Sequence, residues 1–269
     1  DSSKKILLLA HIDTVPVGGK DQIIKLSEDE NNFYGTGVLD MKSGIVEIIE
    51  CLYALNNASL LNNLPIAILI NSDEEIGSPL SRKYINELAD ESLFAIVFES
   101  SNNEREIITS RVGKILYELV VEGVARHISN KDEEKTSAIE EIAHKVIEIE
   151  KLNKMLSDAV VNVGIIEGGL APNVVAPHAK AIIDIRYVNH WVRESIVKKI
   201  FEITKRNIKD KTISHLKEIN LRPPFLKSAI NQPLIDIFQQ NATLLGFNLF
   251  EVSSYGASDA CFLSEKTIP

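Results

Sequence analysis

The stretch Lys5-Ile6-Leu7-Leu8-Leu9-Ala10-His11-Ile12-Asp13 decides the fold. Ile6–Ala10 is a short unbroken apolar run, the form a strand takes when both of its faces are buried in a mostly parallel sheet. Working outward, strand-length and helix-length segments alternate: a helix over Ser43–Leu55, a strand Ile66–Asn71, a helix Pro79–Leu88 and a strand Phe94–Glu99 (its apolar part Phe94–Phe98) are predicted. That alternation is α/β, with helices on both faces of the sheet in three layers. After about Ser110 the texture changes. Lys114–Glu122 alternates polar and apolar, and Glu134–Leu152 carries Ile139, Ile142, Val146 and Ile149 at helical spacing. Strands Val160–Glu167 and Ala179–Tyr187, a helix Trp191–Ile208 and a strand Thr212–Leu221 follow. This β-α-β-β-α-β order is that of a ferredoxin-like α+β sandwich. Pro223 and Pro224 end the last strand, and Pro233–Leu245 reads as a helix closing at Gly246. The expected organisation is a discontinuous larger domain, residues 1–110 and 222–269, with a ferredoxin-like domain, 111–221, inserted into it.

The composition narrows the function classes. The chain has 269 residues, 29 Lys+Arg against 38 Asp+Glu and a formal charge of −9, with 45% hydrophobic residues, which excludes a collagen or a disordered tail. The acidic balance and the lack of a basic stripe argue against nucleic acid as a partner. Cys51 and Cys261 stand far apart without C-x-x-C spacing, so neither a thiolate zinc knuckle nor a disulfide framework is expected, and a reducing, cytoplasmic setting is the default. The longest apolar runs are strand length, short of the roughly 20 residues of a membrane helix. The chain opens at Asp1 almost directly into a strand, without a signal peptide, and reaches Pro269 soon after a strand-and-turn lead-in. It reads as an excerpt cut at both ends.

The chemistry begins where the first strand stops. Alternation puts His11 and Asp13 on one side at the carboxyl end of the strand, where open α/β sheets hold their sites. An imidazole can ligate a metal through one nitrogen while a carboxylate fixes its tautomer through the other. Alone, such a histidine is more often just satisfied in a loop. Yet Asp40 follows Gly35-Thr36-Gly37, Asp73-Glu74-Glu75 follows Ile66–Asn71, and Glu99 follows Phe94–Phe98, as though successive strand ends delivered acid to one sheet edge. Gathered carboxylates would repel and raise one another's pKa. Divalent cations remove that cost, and a mixed histidine and carboxylate set suits zinc, cobalt or manganese. The glycine-rich Tyr34–Gly37 loop lacks both the P-loop Lys-Ser/Thr ending and a G-x-G-x-x-G. A two-metal phosphatase or nuclease would need phosphate-binding cations near the acids, and none is evident. His144, His178, His190 and His215 are read as exposed and carry no assigned chemistry.

Taken in order, the motifs resemble those of the co-catalytic zinc metallopeptidases that include glutamate carboxypeptidase, acetylornithine deacetylase, succinyl-diaminopimelate desuccinylase and the aminoacylases. The resemblance is carried by His11-Ile12-Asp13-Thr14-Val15, Tyr34 through Gly44, Asn71 through Ser78, Phe98-Glu99, Ser110-Arg111-Val112-Gly113-Lys114, Asn173-Val174-Val175-Ala176-Pro177, Asp184-Ile185-Arg186 and Gly256-Ala257-Ser258-Asp259-Ala260. It implies two divalent metal ions, with His11 on one, Asp40 bridging both, Glu75 on the second and Glu99 completing the first. It further implies that Asp13 orients His11 and that Glu74 is the general base acting on a bridging water. His127 resembles a histidine that reaches a partner subunit's active site, although Ile128-Ser129 and a charged loop follow it where the family has small residues. Asn173 and Arg186 resemble the pair that holds a substrate carboxylate. Read alone, Arg186 is a strand-end arginine pairing with Asp184, and Asn173 a turn residue beside Pro172. Gly256 and Ser258 resemble pocket-lining residues, though a plain tight turn would also account for them. A further histidine ligand of the second metal lies, in the family, beyond the point where this chain stops, so the second site is expected to be incomplete here.

The resemblance implies hydrolysis of an amide bond next to a free carboxylate, in a C-terminal amino acid such as glutamate or in an N-acyl amino acid, by a homodimer formed through the inserted domain, which also acts as a lid. An N-deacylase of the acetylornithine or aminoacylase type is the alternative. A non-catalytic binding or dimerisation module is the alternative of another class, most of all for the excerpt itself.

Overall fold

The computed structural model describes residues 4–15, 23–101, 103–130, 134–264, 266 and 269. In chain order the elements are β1 (Lys5–His11), β2 (Ser27–Glu28), β3 (Phe33–Tyr34), α1 (Ser43–Asn57), β4 (Ile66–Asn71), α2 (Arg82–Asp90), β5 (Ser92–Val97), β6 (Glu106–Arg111), β7 (Gly113–Glu122), α3 (Ala138–Glu150), β8 (Ala159–Gly168), β9 (His178–Tyr187), α4 (His190–Lys205), β10 (Ile213–Arg222), α5 (Gln232–Leu244), β11 (Phe250–Ser254) and α6 (Ala260–Ser264). They form two compact units, Asp1–Arg111 with Phe225–Pro269, and Val112–Pro224. The α/β reading holds, with parallel and antiparallel sheets in the same chain.

In the first unit β1 is the middle strand of a parallel sheet ordered β4-β1-β5. Leu7 and Leu9 face one way, onto Ile85 and Ala89 of α2 and Phe262 and Leu263 of α6. Leu8 and Ala10 face the other way, onto Met41 and Ile48. Burial of a side chain of this size contributes about 1.5–3 kcal/mol, and it is obtained on both faces, which is why β1 carries no polar residue from Ile6 to Ala10. At Gly44 a side-chain carbon would lie 2.1 Å from the carbonyl oxygen of Phe98. Only glycine lets the start of α1 approach the chain leaving β5 so closely. β6 and β11 pair in parallel as a separate two-stranded sheet among the described residues.

The second unit is a four-stranded antiparallel sheet ordered β10-β7-β9-β8, with α3 and α4 on one face. β7 and β9 alternate strictly, burying Ile115, Leu119 and Val121 with Ala181, Ile183 and Ile185 against Ile142 of α3 and Ile196 of α4. Ser137 caps α3 by accepting from the Glu140 amide, and Asn189 caps α4 by accepting from the Val192 amide. The far end of α4 is capped by a buried lysine. Lys145 Nζ donates to the carbonyls of Ile203, Thr204 and Arg206 at 3.2, 3.0 and 2.7 Å and pairs with Glu141 at 2.8 Å.

Several predicted boundaries shift for local reasons. The helix expected from Pro79 starts at Arg82, because Asp73 accepts from the amides of Leu80 and Ser81 and holds that stretch as a turn. The helix expected from Glu134 starts after its cap at Ser137, and the one expected to reach Ile208 ends at Lys205, where Lys145 takes the last carbonyls. β6 and α6 were not foreseen, and β11 only as a strand-and-turn lead-in without bounds before Pro269. Two parts of the predicted loops, residues 16–22 and the charged 131–133 after His127, lie outside the described residues.

Candidate metal centre

His11 sits at the carboxyl end of β1 and is 2% exposed. Its Nδ1 lies 3.0 Å from the Asp13 carbonyl oxygen and 3.3 Å from Asp13 Oδ1. Its Nε2 lies 3.3 Å from Asp40 Oδ1 and 3.7 Å from Glu99 Oε1. One nitrogen is therefore held and the other is turned toward two carboxylates, the arrangement a ligating imidazole uses. Asp13 also accepts from the backbone amide of Glu75 at 2.9 Å through Oδ2, so a single carboxylate touches both the histidine and the acidic turn after β4.

That turn is built by its own backbone. The Gly77 amide donates to the Glu74 carbonyl at 2.8 Å and the Ser78 amide to the Asp73 carbonyl at 2.7 Å. Gly77 adopts φ 98°, a region that glycine enters freely. The Asp73 carboxylate accepts from the amides of Leu80 and Ser81 and from the Ser81 hydroxyl. Glu74 and Glu75 are left for the cluster. Asp40 does not come from a strand end as expected. It enters from the tight turn Val38–Lys42 that leads into α1, while Glu99 follows β5.

Ligand atoms of His11, Asp40 and Glu75 lie within 4.8 Å of one another, as do those of His11, Glu74 and Glu99. The electrostatics record a surplus of negative charge. Burial, then the Glu74 charge, pushes the Glu99 carboxyl from 4.5 up to about 7. Burial, then Asp40 and Glu74, raises Glu75. Burial would lower the His11 imidazole, but its hydrogen bond to Asp40 and the charges of Glu99 and Glu74 prevail, raising it to about 9. The same contact to His11 holds Asp40 below its ordinary value. A histidine shared between two carboxylate pairs, in a cleft whose acids resist ionising together, fits divalent cations of the zinc, cobalt or manganese type.

The cleft, about 370 Å³, is lined by Asp40, Glu74, Glu75, Glu99 and Ser100 together with Arg111 and the 253–257 segment. Arg111 is the residue that sequence reasoning missed. It closes β6, is 8% exposed, donates through Nη1 to the Gly256 carbonyl at 3.0 Å, and its charge acts to lower both Asp40 and Glu99. Its presence in the Ser110–Lys114 motif was visible, but not its placement among the acids. Gly256 lines this cleft. Ser258 is buried, with its Oγ accepting from the Ala260 amide at 3.3 Å.

The remaining predicted residues lie in the second unit. His127 and Asn173 are brought together there, with Asn173 Nδ2 3.3 Å from His127 Nε2 and both side chains exposed. Arg186 projects from β9 on the same face as Asp184 and binds it through Nε and Nη2 at 2.7 and 3.1 Å, the pairing its strand spacing allows.

The family model described as Peptidase family M20/M25/M40 matches residues 7–269. Carboxypeptidase G2 of a Pseudomonas species is 26% identical over 200 residues, covering 74% of this chain and 48% of that protein. Acetylornithine deacetylase of Buchnera aphidicola is 30% identical over 187 residues, covering 64% and 48%. Aminopeptidase PepT from Bacillus cereus superposes with TM-score 0.73 at 24% identity over 100% of this chain and 72% of that one, a likeness of fold. The chain spans about half the length of the curated relatives it matches. A match running from β1 to the last residue takes in every side chain of the acidic cleft, and the chain belongs to peptidase family M20/M25/M40.

Proposed function

We propose that the protein is a metal-dependent amidohydrolase that cleaves an amide bond next to a free carboxylate, releasing a C-terminal amino acid such as glutamate. The observation that carries this reading is the convergence of His11, Asp40, Glu74, Glu75 and Glu99 on one cleft, as two histidine-sharing groups. His11, Asp40 and Glu99 would hold one cation, and Asp40 with Glu75 the second. Zinc is the first choice, with cobalt or manganese as alternatives. When bound, such ions polarise the scissile carbonyl and stabilise negative charge on its oxygen. Asp13 keeps the His11 ring oriented. Glu74 takes the proton from the attacking water and returns it to the leaving amine. Gly256 and Ser258 belong to the wall of the substrate pocket.

His127, Asn173 and Arg186 are assigned to substrate binding, Asn173 and Arg186 to its carboxylate, for which a guanidinium is well suited, and His127 to the carbonyl oxygen from a partner subunit. The second unit then serves as a ferredoxin-like dimerisation and lid domain of a cytoplasmic homodimer. Two cysteines far apart in the sequence, Cys51 exposed and Cys261 buried, agree with a reducing compartment. No helix among the described residues is long and apolar enough to cross a membrane. Similarity to acetylornithine deacetylase favours N-deacylation as the second reading. Comparing release of a C-terminal amino acid with release of an acyl group from matched substrates separates the two.

The test is metal content and turnover together. Wild type is expected to bind zinc or cobalt on elemental analysis. Glu74→Ala should keep metal and lose about 10²–10⁴-fold in hydrolysis, whereas Glu75→Ala should lose metal as well. Hydrolysis at the wild-type rate by Glu74→Ala would remove the general base from this scheme. A folded wild type without metal would favour a binding module instead.

A further inference from the structure

Asp259 lies on the turn before α6 and is 4% exposed. Its carboxylate is divided between two donors: Oδ2 accepts from Asn71 Nδ2 at 2.6 Å, and Oδ1 accepts from the Ser78 hydroxyl. These donors stand at the two ends of the segment that carries Glu74 and Glu75. Asn71 is the last residue of β4, in register with His11, and its carbonyl accepts from the Ile12 amide at 2.9 Å. Ser78 closes the acidic turn and is held at φ 55°, a left-handed conformation that a residue with a side chain adopts only when its surroundings impose it.

We propose that Asp259 is a positioning residue for the candidate metal centre, clamping both ends of the 71–78 segment so that Glu74 and Glu75 face His11. The inference rests on the metal-dependent reading above. A buried carboxylate is tolerated when charge-assisted hydrogen bonds satisfy it. Here the bonds to Asn71 and Ser78 go to the frame of the acidic turn. The turn is then fixed from three sides: Asp13 on the Glu75 amide, Asp73 on Leu80 and Ser81, and Asp259 on Asn71 and Ser78. Of these three carboxylates, Asp259 is the one brought from farthest along the sequence. Residues that orient ligands in this way alter metal affinity about 10–100-fold when removed.

The experiment is Co²⁺ titration of the full chain, read by competition with a chromogenic chelator and by the visible cobalt spectrum, for wild type, Asp259→Ala, Asp259→Asn and Ser78→Ala. Asn at 259 can still accept from Asn71 through its oxygen and donate to the Ser78 hydroxyl through its nitrogen, so it preserves the clamp. Asp259→Ala is expected to lose about 10–100-fold in Co²⁺ affinity with an altered spectrum. Asp259→Asn should recover most of both, which a loss of general stability would not produce. Ser78→Ala, which removes one of the two bonds, should fall between, and it decides the matter if Asp259→Ala does not fold. Wild-type affinity and spectrum in Ser78→Ala and in any folded Asp259→Ala would overturn the positioning role alone. Failure of wild type to bind Co²⁺ would overturn the metal-dependent reading, and the proposal with it.

Discussion

Buried charge is handled in opposite ways in the two units. In the second, Glu141 and Lys145 are 0% and 1% exposed, yet both charges of this pair have their answer. Lys145 meets three carbonyls and Glu141, and Glu141 also accepts from the amides of Ile208 and Lys209 at 2.9 and 2.7 Å. Burial works to raise the Glu141 carboxyl, but its bond to Lys145 and those two amides override it and leave it below 4.5. In the first unit His11 and Arg111 face five carboxylates, those of Asp13, Asp40, Glu74, Glu75 and Glu99, and Glu75 and Glu99 are pushed upward. The balanced pair belongs to the framework of the sandwich. The unbalanced cluster is poised for something that brings positive charge, which is where perturbed acids mark function.

The sharpest way to break this contrast is to delete one charge from each region. Lys145→Ala should destabilise the second unit by about 3–5 kcal/mol, because Glu141 is left buried without its partner; urea unfolding followed by amide exchange on β7 would read it. Glu99→Gln should do the opposite in metal-free protein at pH 8, stabilising the first unit by roughly 1–3 kcal/mol while weakening metal binding. If both variants destabilise alike, the two regions are not different in kind.

The pH dependence should also run in opposite directions. Glu99 and His11 have raised folded-state values, so their contribution is fully present at low pH. It is lost as pH rises, from 4.5 through about 7 for Glu99 and from 6.5 through about 9 for His11. Exchange protection of β1 in metal-free protein should therefore fall between pH 5 and 9, and bound metal should abolish the slope. Glu141 is depressed, so its contribution is present above 4.5 and lost as pH falls through its lower folded value. Protection of β7 should drop only in acid, and Glu141→Gln should flatten that drop. The smallest effect serves as a control: Asn189→Ala removes the α4 cap and should cost about 1 kcal/mol in the second unit, with Co²⁺ affinity unchanged.

The acidic cleft was legible because its residues follow short apolar runs. His11, the Asp73–Glu75 turn and Glu99 each sit where a short apolar strand has just ended, and that pattern survives without any knowledge of tertiary contacts. Asp40 was found by the glycine-rich stretch before it, although its entry from a helix-leading turn was not. β6 was missed and β11 was given no bounds because Glu106–Arg111 and Phe250–Ser254 show neither a continuous apolar run nor strict alternation throughout; they are strands through pairing with each other across a long separation. The same distance hid Arg111's place among the acids and the link from Asp259 back to Asn71 and Ser78. Arg186 is the converse case, since its local spacing to Asp184 already described the contact it makes.

Because β1 is paired on both sides, it indexes the whole sheet. His11 lies opposite Asn71, and Leu9 lies opposite both Leu69 and Val97. Deleting one residue between Ile6 and Ala10 would turn every side chain to the other face, sending the Leu7 set toward α1 and carrying the histidine off the edge where the acids wait. Variation along β1 is thus confined to exchanges of similar volume, and the strand works as a ruler whose last mark is the imidazole.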